Sequence, residues 1–276
     1  MTGGVSWRQR HGEPKNRRQQ FLCVLHDQYF SMLGINLLCA VFYVPAVVWT
    51  AGSALRISRA LAAGAQQEAV QLANSYFLLL WPCLLLGMLT RPGLAKLMRR
   101  WAQEESVPAY STFFAGLREN LRQTLCVGIP ACAVPLILWY AGLTAVYSKN
   151  SVMSGVILAA GLIFGVLLLS LQVLFPLLVT YELPLKNQLR NAVILTLLRL
   201  TQSLLVLLGR SFFLLMYLAF VCIRPNLVYA LLIIPLGYYG FGGVTISSLA
   251  QAIYSQYLFE RYLKTAKEPE TPPDAR

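Results

Sequence analysis

Five stretches of this 276-residue chain run for more than 20 residues without an Asp, Glu, Lys or Arg. The runs between Asp27 and Arg56 and between Arg122 and Lys149 hold 28 and 26 residues, and the longest, 35 residues, precedes Glu260. A helix crosses the roughly 30 Å hydrocarbon core of a bilayer with about 20 apolar residues. The runs therefore predict helices that span a membrane, which excludes an ordinary water-soluble domain.

The predicted fold class is all-α: a polytopic membrane helical bundle of about six transmembrane helices. A further apolar run, Leu200 to Ile223, is interrupted only by Arg210 and supplies the additional span. Short outward loops pair the spans as three hairpins, which amphipathic helices join on the cytoplasmic side. One domain, 29–258, lies between a basic N-terminal segment, 1–28, and a polar tail, 259–276. Its predicted spans are 29–54, 73–90, 123–147, 152–180, 202–223 and 228–257.

The positive charges fall on one side of these spans. The chain has 23 Lys and Arg against 11 Asp and Glu, and 18 of the 23 lie in the segments on the side of the termini, against four on the other side. Lys and Arg accumulate in cytoplasmic loops, so both termini are predicted to be cytoplasmic in a multi-pass protein of the cell membrane. The same charges suit anionic lipid headgroups. The bilayer is thus a predicted partner, and nucleic acid is not.

Two of the joining segments show the periodicity of amphipathic helices. Apolar residues recur every three or four positions from Tyr110 to Leu125, directly before the third span, and Pro184 suits the start of another helix. Such helices either lie in the membrane interface or dock on a partner, which here means transporter subunits or a second copy of the chain. The candidate interface residues are Arg99, Arg100, Trp101, Phe113, Phe114, Arg118, Asn120, Lys186 and Arg190.

A few polar residues interrupt the apolar spans. Arg210 is the one charge well inside a span: it either snorkels to the headgroups or forms a buried pair, with Glu182 as the acidic partner. The glycines between Gly237 and Gly243 indicate either close helix packing or a broken helix that lines a cavity. The candidate intramembrane polar site consists of Asn36, Gln172, Glu182 and Arg210.

Residues for catalysis are scarce. The two histidines, His11 and His26, precede the first span and have no second ligand at metal-binding spacing. The chain has no HExxH, GxSxG or phosphate-loop motif. We therefore expect no catalytic residues, no metal, no cofactor and no enzyme activity.

The stretch from Arg91 to Leu125 is similar to the YesL-like family of bacterial integral membrane proteins. In both, a basic helix and an acidic turn precede an aromatic segment with Arg, Asn and Gln, here around Phe113 and Arg118. Phe175 to Val193 resembles a second block of the family. The resemblance implies a bacterial membrane protein of five or six spans and unknown function, with members often encoded beside carbohydrate ABC transporters.

The leading hypothesis is accordingly a non-enzymatic membrane protein that assists or regulates a carbohydrate transport system through its cytoplasmic amphipathic segments. Two alternatives stay open. The chain could be a small solute transporter or channel with a polar path through the bundle. It could also be a membrane sensor or regulator, although its outward loops are short for a ligand-binding domain.

Overall fold

The computed structural model describes residues 16–103, 105–148, 151–223, 233–234 and 236–264, and these are helical with short connections. A π-helical turn, Tyr239–Gly243, precedes the last long helix, and a second one, Glu260–Lys264, follows it. The helices are α1 (Arg17–Ala62), α2 (Gln66–Ala102), α3 (Ala109–Ser148), α4 (Ser151–Leu178), α5 (Leu185–Leu198), α6 (Leu200–Ile223) and α7 (Val244–Phe259). No strand occurs in these residues, so the predicted all-α class is confirmed for them.

Four helices, α1 to α4, contain a segment long and apolar enough to cross a bilayer. Helices α5 and α6 meet at a bend of 94° and would add a fifth if the pair forms one span. Four or five candidate spans thus replace the six of the sequence interpretation within the described residues. The start of the predicted sixth span, 228–232, lies outside them, as do the first 15 residues and the tail from 265 onward.

Helices α1, α2 and α3 extend beyond the predicted spans at both ends. Helix α1 begins at Arg17 instead of 29, and only three residues, 63–65, separate it from α2, whereas the predicted spans 29–54 and 73–90 leave residues 55–72 between them. Helix α2 also continues past the predicted second span, 73–90, and through Pro92 to Ala102 without a break. Charged residues indicate where a helix leaves the lipid, but they do not end the helix. An internal proline need not end it either, because neighbouring helices can satisfy the backbone carbonyl that the proline leaves without a partner.

The amphipathic segments are confirmed as helices. Helix α3 starts directly after Pro108 and continues without a break into the third span. Helix α5 starts after Pro184 and buries Gln188, Ala192 and Leu195 against α4 and α7. Its outer face carries Lys186 and Arg190 in the first half and exposed leucines in the second half.

Most of the buried core lies at one end of the bundle, which we call the basic end: the ends of α1, α2, α3, α4 and α7 nearest Arg17, Ala102, Ala109, Leu178 and Phe259. Three contacts bring these ends together. Gln20 Nε2 donates to the Ala102 carbonyl at 2.5 Å, Arg99 Nη1 donates to the Val179 carbonyl at 3.0 Å, and Arg17 pairs with Glu260. One apolar cluster surrounds Trp101 and Phe113, and another surrounds Leu174, Leu177 and Leu258.

The other end of the bundle, near Ala62 and Ser151, has little core. Only 17–28% of each candidate span's most apolar window is buried in the protein, and side chains such as Val48, Val146 and Leu162 are exposed. Lipid tails solvate apolar side chains as well as a protein core does, so a membrane segment gains little from hiding them. The uneven burial is what a bundle with one end outside the hydrocarbon requires.

Glycines bring α2 and α3 close together at the basic end. A Cβ added at Gly93 would lie 2.7 Å from the Phe113 carbonyl oxygen, and one at Gly116 would lie 3.0 Å from the Pro92 oxygen. Gly161 and Gly165, which match a glycine contact motif in the sequence, face open space. The close crossing of α2 and α3 therefore depends on Gly93 and Gly116, which belong to no glycine contact motif.

Replacing Gly93 by Ala should separate α2 from α3, because its Cβ would collide with a main-chain atom that cannot rotate away. We expect the substitution to cost about 1–3 kcal/mol, the usual range for overpacking a core, and to lower the thermal unfolding midpoint in detergent. The control is Gly142→Ala in α3, where no atom lies within 4 Å of the new Cβ. Equal unfolding midpoints for the two variants would contradict the close contact of α2 with α3 at Gly93.

Candidate functional site: a polar network at a broken helix

The helical path into α7 breaks at the π-helical turn Tyr239–Gly243. Gly242 has φ of +134°, a value that favours glycine because it has no Cβ. The turn lies beside Asn36, which belongs to the apolar part of α1. A break at such a position leaves carbonyl and N–H groups that water would satisfy elsewhere, so other protein groups must bind them.

Asn36 supplies these partners. Its side chain is fully buried, and its Nδ2 donates to the carbonyls of Tyr239 and Gly240, both at 2.7 Å. Its Oδ1 accepts from the backbone N–H of Val244 at 3.1 Å and of Thr245 at 3.3 Å. The Asn36 amide therefore binds backbone groups on both sides of the break, as a capping side chain binds the free N–H groups at the start of a helix.

The network continues from the turn through α6 to α4. Tyr239 Oη donates to the Arg210 carbonyl at 2.9 Å, and Arg210 Nη1 donates to Gln251 Oε1 at 2.8 Å. Gln251 Nε2 donates in turn to the main-chain carbonyl of Gln172. We call the five residues Asn36, Tyr239, Arg210, Gln251 and Gln172 the polar network. It links α1, the turn, α6, α7 and α4.

The structure brings together three of the four predicted polar-site residues. Asn36, Gln172 and Arg210 all belong to the polar network. Glu182 does not: it is exposed in the connection between α4 and α5, and Arg210 bonds to Gln251 instead. The expected acidic partner is thus replaced by a neutral amide. Chain direction explains the difference, because Arg210 lies ten residues into α6 and Glu182 precedes α5 at the basic end.

Two polar groups, Gln172 of the network and Arg91 near Tyr239, have unused hydrogen-bonding capacity. Gln172 is 7% exposed, and no hydrogen-bond partner is present for its Nε2 in the described residues. Arg91 Nη1 is likewise buried without a partner there, and its guanidinium carbon lies 5.9 Å from the centre of the Tyr43 ring. The positive charge of Arg91 also reaches the Tyr239 hydroxyl electrostatically. The network is therefore rich in donors and positive charge.

The predicted interface residues divide into core and surface. Trp101, Phe113 and Asn120 are buried, so they hold the basic end together and do not form its surface. Arg99 is half-buried on the Val179 carbonyl. Their apolar periodicity faces neighbouring helices rather than a partner or lipid. The exposed members are Arg100, Phe114, Arg118, Lys186 and Arg190.

An open cavity lies beside two of these exposed residues. It is lined by Ser111, Phe114, Ala115, Arg118 and Glu119 on the first turns of α3. Glu119 also pairs with Lys96 of α2, which fixes the two helices at this level. We call this cavity and its rim the α3 groove. It presents an aromatic ring, a cation and an anion within two helical turns.

Tyr181 marks the connection from α4 to α5. Burial raises the pKa of its hydroxyl, and the nearby positive charge of Arg99 opposes that rise. The Tyr181 carbonyl accepts from Gln188 Nε2 at 2.8 Å, which fixes the start of α5 against the end of α4. These contacts hold the connection between α4 and α5 in place.

Sequence reasoning did not include Tyr239 and Gln251 among the site residues. Asn36 and Tyr239 are 203 positions apart, and neither belongs to a motif that predicts their contact. The glycines before Val244 were the available signal, because a broken helix was one of their two interpretations. Among the described residues, no three His, Cys, Asp or Glu side chains come together as a metal site.

These features define a class: an α-helical protein with four or five candidate membrane spans and a polar network at a broken helix. Comparisons with protein families, with curated proteins and with solved structures found no match. The class therefore rests on the chain's own residues.

Removing the Asn36 amide should weaken the fold strongly. Asn36→Leu removes the four hydrogen bonds that the amide makes to the backbone at the break, and each buried group left unpaired costs about 1–3 kcal/mol. The matched control is Asn74→Leu, where Oδ1 accepts a single bond from Trp139 Nε1. We expect a much larger drop in the unfolding midpoint for Asn36→Leu. Equal drops would show that the amide does not hold the break.

Proposed function

We propose that this chain is a multi-pass protein of a bacterial cell membrane that binds a subunit of a carbohydrate transport system at its basic end. The observation that carries the proposal is the α3 groove, an aromatic and charged surface on the best-packed part of the bundle. A docking surface needs such rigidity, because ordering a mobile surface on binding costs free energy. The carbohydrate system comes from the resemblance to the YesL-like family alone.

The groove suits a protein partner in its chemistry. Phe114 is 43% exposed, and Tyr110, one turn earlier on α3, is 55% exposed. Aromatic and arginine side chains dominate the binding energy of protein interfaces when a partner encloses them. Arg118 on the groove and Lys186 and Arg190 on α5 would attract an acidic patch.

The proposal includes six spans with both termini in the cytoplasm. It is supported by the 18 Lys and Arg residues on the side of the termini. It places the basic end in the cytoplasm, where a transporter's ATPase or a permease loop is accessible.

Cysteine labelling from outside the cell should test the orientation. A cysteine at Gly64, in the turn between α1 and α2, should react with an impermeant maleimide in intact cells. A cysteine at Glu105, between α2 and α3, should react only after lysis. The background for both is the chain with its native cysteines replaced by serine. Labelling of Glu105→Cys in intact cells would mean that the topology is the reverse of the proposed one.

Affinity purification in mild detergent should test the docking surface. We expect the unmodified chain to retain a permease, ATPase or other transport subunit, identified by mass spectrometry. The double variant Phe114→Ala/Arg118→Ala should retain at least tenfold less of that subunit. The control, Tyr147→Ala/Arg59→Ala, removes an exposed aromatic and an exposed arginine at the opposite end. Equal retention by both variants, or recovery of the chain alone while known permeases stay assembled, would refute the proposal.

The second candidate function is a small solute carrier, and the polar network favours it. Transporters place substrate sites at discontinuous helices within the membrane, as the break before α7 would do here. Flux of a solute into vesicles containing only this chain, lost in Asn36→Leu but kept in Asn74→Leu, would support the carrier. Partner-dependent activity with no flux would support docking instead.

A further inference from the structure

Arg210 carries a positive charge inside an apolar helix. It lies between Leu208 and Phe212, both exposed on α6 where lipid would surround them. No carboxylate of the described chain forms an ion pair with it. A charge in this setting is costly unless another charge or several hydrogen bonds compensate for it. Gln251 supplies one hydrogen bond and no charge.

Among the described residues, one side-chain acceptor bonds to the Arg210 guanidinium. A guanidinium has five N–H donors, and the Gln251 Oε1 atom accepts from one of its nitrogens. Gln172 anchors Gln251 through its main-chain carbonyl, while its own buried Nε2, a further donor, has no partner in the described residues. The positive charge of Arg91 acts on the Tyr239 hydroxyl, which donates to the Arg210 carbonyl in the same network. What is missing is a negatively charged group with several acceptor oxygens.

We infer that Arg210, Gln251 and Gln172 form a binding site for an oxyanion, a phosphate or carboxylate group. The oxyanion accepts hydrogen bonds from the guanidinium and from Gln172 Nε2, and its charge neutralises Arg210. The site goes beyond the docking function and does not rest on it. Leu208 and Phe212 stand two positions before and after Arg210, which places them on the opposite face of α6, so the guanidinium faces Gln251 and the oxyanion binds between the helices. It is either the headgroup of an anionic phospholipid or a soluble anion.

Titrations of the purified, delipidated full chain in neutral detergent distinguish the two sources. One arm adds phosphatidylglycerol, and the other adds glycerol 3-phosphate, which has the same phosphate ester without acyl chains. Binding is followed by the rise in the unfolding midpoint and by native mass spectrometry. We expect saturable binding in at least one arm. Binding of phosphatidylglycerol alone identifies a lipid site, and binding of glycerol 3-phosphate identifies a site for soluble anions.

Two variants test the residues. Arg210→Gln should weaken binding at least tenfold. Gln172→Leu should weaken it several-fold while leaving the chain folded, because Gln251 bonds to the main chain of residue 172 and the substitution removes only the unpartnered amide. A purely structural Gln172 would not affect anion affinity, so this variant keeps the test valid if Arg210→Gln fails to fold.

The matched control is Arg59→Gln, which removes one exposed arginine at the end of α1 far along the chain from the network. Its affinity for the added anion should equal that of the unmodified chain. The inference is overturned if neither arm gives saturable binding. It is also overturned if Gln172→Leu binds like the unmodified chain, or if Arg59→Gln loses as much affinity as Arg210→Gln.

Discussion

Inside a bilayer, every backbone N–H and carbonyl needs a partner within the protein, and the rest of this structure depends on how one break meets that demand. The turn before α7 frees backbone groups on both of its sides, and the single amide of Asn36 binds four of them. Because Asn36 belongs to α1, its hydrogen bonds tie α1 to the start of α7. The hydrogen bonds that satisfy the break therefore also hold α1 and α7 together.

A second physical contrast shapes the bundle. At the basic end, apolar side chains such as Trp101 and Phe113 are fully buried, whereas most of the candidate spans remain exposed. Water drives burial at one end, and lipid removes that drive at the other. The tightly packed end is consequently the rigid part, which suits it to docking. The polar network adds cohesion where the hydrophobic effect contributes little.

Sequence reasoning predicted the helical class, the amphipathic starts of α3 and α5, and the polar residues Asn36, Gln172 and Arg210. Each has a local signal: an apolar period, or a polar residue in an apolar run. The fusion of α2 across Pro92 and the close crossing at Gly93 had none, because they depend on neighbours distant in the chain. Tyr239 had none either, whereas Gln251 is also a polar residue in an apolar run and was left out of the predicted site. Trp101 and Phe113 were predicted to be interface residues and are buried in the core. A buried helix face and a docking face have the same apolar periodicity, so the sequence pattern does not separate them.

Asn36 holds the start of α7 through the backbone amides of Val244 and Thr245. Hydrogen–deuterium exchange of the full chain in lipid nanodiscs tests this role at those two amides, compared between the unmodified chain and Asn36→Ala. We expect slow exchange at both amides in the unmodified chain and fast exchange in the variant, with α2 and α3 unchanged at their crossing. Fast exchange in the unmodified chain, or equal protection in the variant, would contradict it.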